Sequence, residues 1–141
     1  MIPPRRIAAT FWAAHRFVYS RTGIGHRVPG LGRCLLLTTK GRKSGQPRST
    51  GLLYLRDGAN VVVVGSNLAS DKPPAWWLNL QAEPNAEIRI GRERRRVRAR
   101  EATEEERARV WPRLVDMYSD FEEYTRRTDR HIPVVLLEPA V

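Results

Sequence analysis

The sequence predicts a small α+β domain dominated by antiparallel strands, and three observations carry that prediction. Six short apolar or alternating segments have the length of strands. Turn signals join most of them to their neighbours in sequence, and helical spacing is confined to the N-terminal segment and the connections between them. At 141 residues, 41% apolar and 28% charged, the chain reads as one globular domain, residues 1–141, with a core that needs no disulfide. Strands linked as hairpins, with helices in the connections, favour a small barrel over a doubly wound parallel sheet.

Residues 5–19 place Ile7, Phe11, Ala14 and Val18 at helical spacing, with Trp12 and Tyr19 alongside and Arg5, Arg6, Arg16 and Arg21 around them. Gly23 to Gly32 is an irregular connection rich in glycine. Cys34 to Thr39 is a short apolar strand. It runs into the turn Lys40 to Pro47 and returns as Arg48 to Leu55. Asp57-Gly58 marks the next turn. Val61 to Val64 is β-branched throughout, which predicts a central strand buried on both faces. Ser70 or Asp71 is the expected cap of a helix with Pro73 and Pro74 in its first turn, a body over 75–82, and a stop at Pro84. Glu87 to Ile90 and Arg94 to Arg100 form a hairpin around Gly91-Arg92-Glu93. The alternation of Arg94, Arg96, Arg98 and Arg100 puts these four on one face. Thr103 followed by Glu106 is a capping box opening a helix through Met117, with a kink or break expected at Pro112. A short helix over Phe121 to Arg126 and a strand over Pro133 to Leu137 complete the chain.

Charge is distributed unevenly. Residues 1–56 hold eleven Lys or Arg and no acid, whereas the remaining 85 hold fourteen bases and fifteen acids. An anionic partner follows: a phosphorylated or polyacidic cofactor, nucleic acid, or an anionic membrane surface. The lone Cys34 excludes an internal disulfide and sits in an apolar run, where an inert buried thiol is expected. No apolar run reaches the length of a membrane span, and a cytoplasmic location is expected. His15, His26, His131 and Cys34 lack metal-ligand spacing, so no metal is expected. Arg42 stands where a Walker A loop needs glycine before Lys43-Ser44.

Three segments are candidates for chemistry. Gly41-Arg42-Lys43-Ser44-Gly45-Gln46-Pro47-Arg48 combines two glycines, which free backbone N–H groups, with three cations, as an anion-binding turn would. A solvated hairpin tip fits it equally well. In Trp76-Trp77-Leu78-Asn79-Leu80, Trp76 and Asn79 share a helix face, an apolar plate beside an amide that suits a planar heteroaromatic ring; core packing is the plainer reading. Tyr118, Phe121 and Tyr124 recur every three residues and either wall a pocket or pack on the sheet.

In order and spacing these segments resemble the deazaflavin-dependent nitroreductase family, the F420-dependent quinone reductases of actinobacteria. The resemblance rests on Leu36 to Arg48, Leu53-Tyr54-Leu55-Arg56-Asp57-Gly58, Pro74 to Leu80 with Pro84, Tyr124, Thr128-Asp129-Arg130 and Ile132-Pro133-Val134-Val135. It implies a six-stranded, mostly antiparallel split β-barrel of the FMN-binding type. It implies coenzyme F420, rather than FMN, with its phosphate and acidic tail on Arg42, Lys43, Ser44, Gly45, Gln46, Pro47 and Arg48. The deazaflavin ring would lie against Gly65, Ser66, Asn67, Ala75, Trp76, Trp77 and Asn79. A hydride would pass to a flat acceptor, a quinone or nitroaromatic, walled by Phe121 and Tyr124, with Tyr124 and Tyr118 as catalytic candidates. Trp12, outside the matching stretch of about residues 34–139, is a further candidate for that wall. Asn67 and Phe121 depart from the family pattern, which has Lys and Tyr there. The early basic excess matches a ligand bearing a phosphodiester and a polyglutamate tail. A nucleic-acid-binding barrel and a non-catalytic F420 carrier are the alternatives. The helix over residues 5–19 adds an expectation of peripheral membrane contact.

Overall fold

The computed structural model describes residues 27–28 and 32–140; the expected helix over residues 5–19, with Trp12, lies outside them. Eight strands alternate with three α-helices: β1 (Arg27–Val28), β2 (Gly32–Lys40), β3 (Pro47–Leu53), β4 (Leu55–Asp57), β5 (Asn60–Val64), α1 (Ala75–Ala82), β6 (Asn85–Ile90), β7 (Glu93–Glu101), α2 (Glu104–Met117), α3 (Asp120–Arg127) and β8 (Val134–Pro139). Every pairing among the described residues is antiparallel, in the order β1-β2-β6-β7-β8-β5-β4, with β3 added on β2.

The mainly antiparallel sheet expected from sequence is present, but with eight strands among the described residues rather than the six of the expected split barrel. The strand returning from the 41–46 tip divides at Tyr54, a side chain only 2% exposed whose N–H turns to the Arg33 carbonyl at 3.0 Å. A two-residue β1 also pairs with the start of β2. Among the described residues no ladder joins β3 to β4 or β5, so the sheet stays open.

Alternation along the central strands divides the core in two. Val61 and Val63 of β5, with Val135 and Leu137 of β8, join Leu35, Leu37, Ile88 and the α1 residues Trp76, Trp77 and Leu80 on one face. Val62, Val64, Val134 and Leu136 point the other way, onto Val110 and Leu114 of α2 and Phe121 and Tyr124 of α3. The β-branched run of β5 is buried on both faces because facing strands and α1 cover one and α2 with α3 the other. Cys34 is fully buried, and burial pushes its thiol pKa up to about 12, which makes it a poor nucleophile.

Local signals hold in part. Thr103 and Glu106 form the capping box, and Arg94, Arg96 and Arg98 share the exposed face of β7. Pro112 does not interrupt α2: it and Ala108, whose carbonyl it leaves without a helical donor, both lie on the exposed face, where an unpaired carbonyl costs least. The cap of α1 is Pro74 rather than Ser70 or Asp71; its extended backbone presents its carbonyl to Trp77 and Leu78.

Candidate active site

A cleft of ≈ 860 Å³ lies between the β2–β3 hairpin, the start of α1 and the aromatic edge of α3. It runs from a cationic end to an aromatic one.

The cationic end is the 41–46 tip. Gly41 donates to the Gln46 carbonyl and accepts from Gly45, both at 2.8 Å, and Gly45 takes φ +72, where glycine is unstrained. A Cβ on Gly41 would lie 2.7 Å from Ser44 Oγ and 3.1 Å from the Gln46 carbonyl, so a side chain there would displace Ser44 and push on the turn's backbone. Arg42 and Gln46 also spend their N–H groups inside the protein, on Asn79 Oδ1 and Ser44 Oγ. The expected nest of free backbone donors is thus largely consumed, and side chains supply the cationic groups that face the cleft. Arg42, Lys43 and Arg48 are exposed on the cleft and, among the described residues, none of them is ion-paired.

Next comes the loop after β5. Asn67, Leu68 and Ala69 all take positive φ (44, 54 and 62), three left-handed residues in succession without a glycine. That conformation costs about 1–2 kcal/mol per residue and persists only under external constraint. Arg130 supplies the constraint: its guanidinium donates to the carbonyls of Ser66 (2.8 Å), Ser70 (3.0 Å) and Gly65 (3.2 Å). Gly65 packs against Pro133, where a Cβ would come within 2.8 Å of the ring. Asn67 commits its amide nitrogen to the Lys72 carbonyl at 2.8 Å.

At the aromatic end, Tyr118 meets Phe121 edge-on at 5.0 Å, and the hydroxyls of Tyr118 and Tyr124 are 3.2 Å apart. Burial, more than any other cause, raises both tyrosine pKa values. The Tyr124 hydroxyl and the Asp120 charge raise that of Tyr118 further. Both hydroxyls keep their protons through neutral pH and can donate hydrogen bonds.

Of the residues singled out from sequence, Arg42, Lys43, Ser44, Pro47, Arg48, Ser66, Asn67, Ala75, Trp76, Asn79, Tyr118, Phe121 and Tyr124 line this one cleft. Gly45, Gln46, Gly65 and Trp77 do not; Trp77 is spent in the core. Asn79 borders the cleft with its amide already engaged by Arg42 and Thr39. Thr39, Thr50, Leu52 and Leu68 also line it and were not singled out. No periodic signal marks Thr50 and Leu52, because every residue from Pro47 to Leu53 lines the cleft.

Comparison with known proteins identifies the family. The family model for F420H(2)-dependent quinone reductase matches residues 12–139. A Mycobacterium tuberculosis protein named as such a reductase, Rv3178, is 46% identical over 119 residues, covering 84% of this chain and 98% of its own. Another from that organism, Rv1261c, is 37% identical, covering 94% and 93%. A solved F420-H2 dependent reductase, FDR-A, superposes with a TM-score of 0.68 at 34% identity, covering 74% of this chain and 93% of its own. A structure described as a domain-swapped dimer gives 0.71 at 31% identity, covering 89% and 94%. The chain belongs to the F420H(2)-dependent quinone reductase family, oxidoreductases whose cofactor is F420.

Proposed function

We propose that F420 lies along this cleft with its phosphate and acidic tail on Arg42, Lys43 and Arg48. Its ring rests against Ser66, Asn67, Ala75 and Trp76, and a quinone or nitroaromatic acceptor lies against Phe121, Tyr118 and Tyr124. The observation that carries this reading is the polarity of the cleft: at one end three cations without carboxylate partners among the described residues, at the other two protonated tyrosines. The group fits by charge, and a cleft of ≈ 860 Å³ has the size of a cofactor site.

When bound, reduced F420 supplies the hydride. The protein orients the two flat rings and excludes water with Trp76 and Phe121. The Tyr124 hydroxyl hydrogen-bonds to the acceptor oxygen and gives up its proton as negative charge develops there. Tyr118, half-buried and 3.2 Å behind it, returns a proton from solvent. Absorbance titration with F420 and FMN, followed by oxidation of reduced F420 against a panel of acceptors, tests this reading. Failure to bind F420 overturns it, and binding without turnover makes the protein a carrier. We also read the open sheet as a split barrel of the FMN-binding type, with the cleft along its unclosed side.

Phe121→Tyr should change acceptor preference more than cofactor affinity, because residue 121 stands on the aromatic wall, away from the cationic end. Steady-state kinetics on one quinone and one nitroaromatic should show their ratio shifting several-fold, with F420 affinity held within about twofold. A change in F420 affinity alone would place residue 121 elsewhere.

Residues 5–19 lie outside the described part, and their interfacial role is a proposal from sequence: Arg5, Arg6 and Arg16 within them, Arg21 just beyond, and an apolar stripe suit weak contact with anionic lipid, at about 1 kcal/mol per cation. Liposome co-sedimentation should show salt-sensitive binding to anionic vesicles that is lost when the chain starts near Gly23. Binding indifferent to truncation and salt rejects the proposal.

A further inference from the structure

We infer that Asn79 is the positioning residue of the cationic end, holding Arg42 over the cleft so that the grip on an anion is formed before the ligand arrives. The inference rests on the placement of F420 proposed above. Asn79 sits mid-helix in α1 and is 3% exposed, so both ends of its amide need partners inside the protein. Its Oδ1 accepts twice from Arg42, from the backbone N–H at 3.1 Å and from Nη1 at 3.0 Å. Its Nδ2 donates to Thr39 Oγ1 at 3.0 Å, and Thr39 is itself 2% exposed. The orientation of the amide is unambiguous, because both Arg42 groups are donors and only the oxygen can receive them.

The sequence placement gives these bonds their effect. Thr39 is the penultimate residue of β2, Gly41 opens the tip, and Arg42 follows it. One side chain on α1 therefore pins the strand end and the first cation beyond it. A free arginine on a hairpin tip samples many rotamers and must surrender them on binding; here the guanidinium is already drawn against the helix, with most of its five N–H groups left for a ligand. With all of these bonds in place, Asn79 acts on the anion through Arg42, and a direct contact between its amide and the cofactor ring is not required.

The test is a double-mutant cycle read by binding. F420 and its deazaflavin chromophore lacking phosphate and tail are titrated by absorbance into wild type, Asn79→Ala, Arg42→Ala and the double variant. Asn79→Ala should weaken F420 roughly tenfold, leave the chromophore within about twofold, and add nothing further once Arg42 is gone. Equal loss for both probes, or single losses that multiply in the double variant, overturns the inference. If Asn79→Ala does not fold, Asn79→Ser, which keeps a polar group for Thr39 but is too short for Arg42, carries the same cycle. Wild type that fails to bind F420 removes the cofactor placement and this inference together. An unaffected Asn79 variant beside normal wild-type binding removes this inference alone.

Discussion

Lys43→Ala combined with Arg48→Ala is expected to weaken F420 binding by about 10- to 100-fold. A hydrogen bond to a charged group contributes about 1.5–3 kcal/mol, and two such contacts to a phosphodiester and an acidic tail are lost. Exposure of both side chains to solvent favours the lower part of that range at physiological salt. The loss should therefore grow as salt is removed. Because Lys43 and Arg48 lack carboxylate partners among the described residues, their removal orphans no acid, and folding stability should change little. FMN, which has no acidic tail, should bind wild type less tightly and lose less in the variant. Titration at two ionic strengths reads each of these outcomes. Equal affinity of wild type for FMN and F420, or an unchanged dissociation constant in the variant, would refute the assignment.

Tyr124→Phe is expected to lower kcat towards a quinone by about 100-fold while F420 affinity stays within about twofold, since positioned proton donors contribute about 10² to 10⁴. Tyr124 is 1% exposed and packs in the α2–α3 core, so phenylalanine preserves its packing and removes only the hydroxyl. Tyr118→Phe should cost less, because solvent water can stand in behind Tyr124. The pH profile gives an independent reading. Folding raises both phenol pKa values above the ordinary 10.0, so the protonated form persists to higher pH than in the unfolded chain. The alkaline limb of kcat should accordingly fall above pH 10.0 in wild type and disappear in Tyr124→Phe. A Tyr124→Phe enzyme with unaltered kcat would remove the tyrosine from proton transfer.

Features governed by near neighbours in sequence were legible; those governed by distant contacts were not. The β2–β3 register, with Lys40 opposite Pro47, follows from the glycines and proline of the tip. The two-sided burial of Val61 to Val64 and the Thr103–Glu106 box are equally local. The engagement of Asn79 with Arg42 spans 37 residues and leaves no periodic trace. Helical spacing placed Trp76 and Asn79 on one face, as found, but could not show that the amide already had partners. Trp76 and Trp77 were indistinguishable by composition, and only packing sends Trp77 wholly into the core. The left-handed run at Asn67 to Ala69 has no glycine to announce it, and its cause, Arg130, lies about 60 residues away.

That run bears on how such a protein can change over generations. Surface loops ordinarily gain or lose residues at little thermodynamic cost, and lineages diverge there by insertion. Here one guanidinium grips the carbonyls of Gly65 and Ser66 at one end of the loop and Ser70 at the other, which fixes the length of chain between them. An inserted residue must either release Arg130 or abandon the reversed hand of the turn. New acceptor preferences should therefore arise as exchanges of side chains along α3, and alignments of descendants should show no gaps at 66–70. Single-residue insertions at 67–69 should lower Tm more than the same insertions beside Arg92, at the open tip of the β6–β7 hairpin. If the two sites tolerate them equally, the length of this rim is under no such restraint.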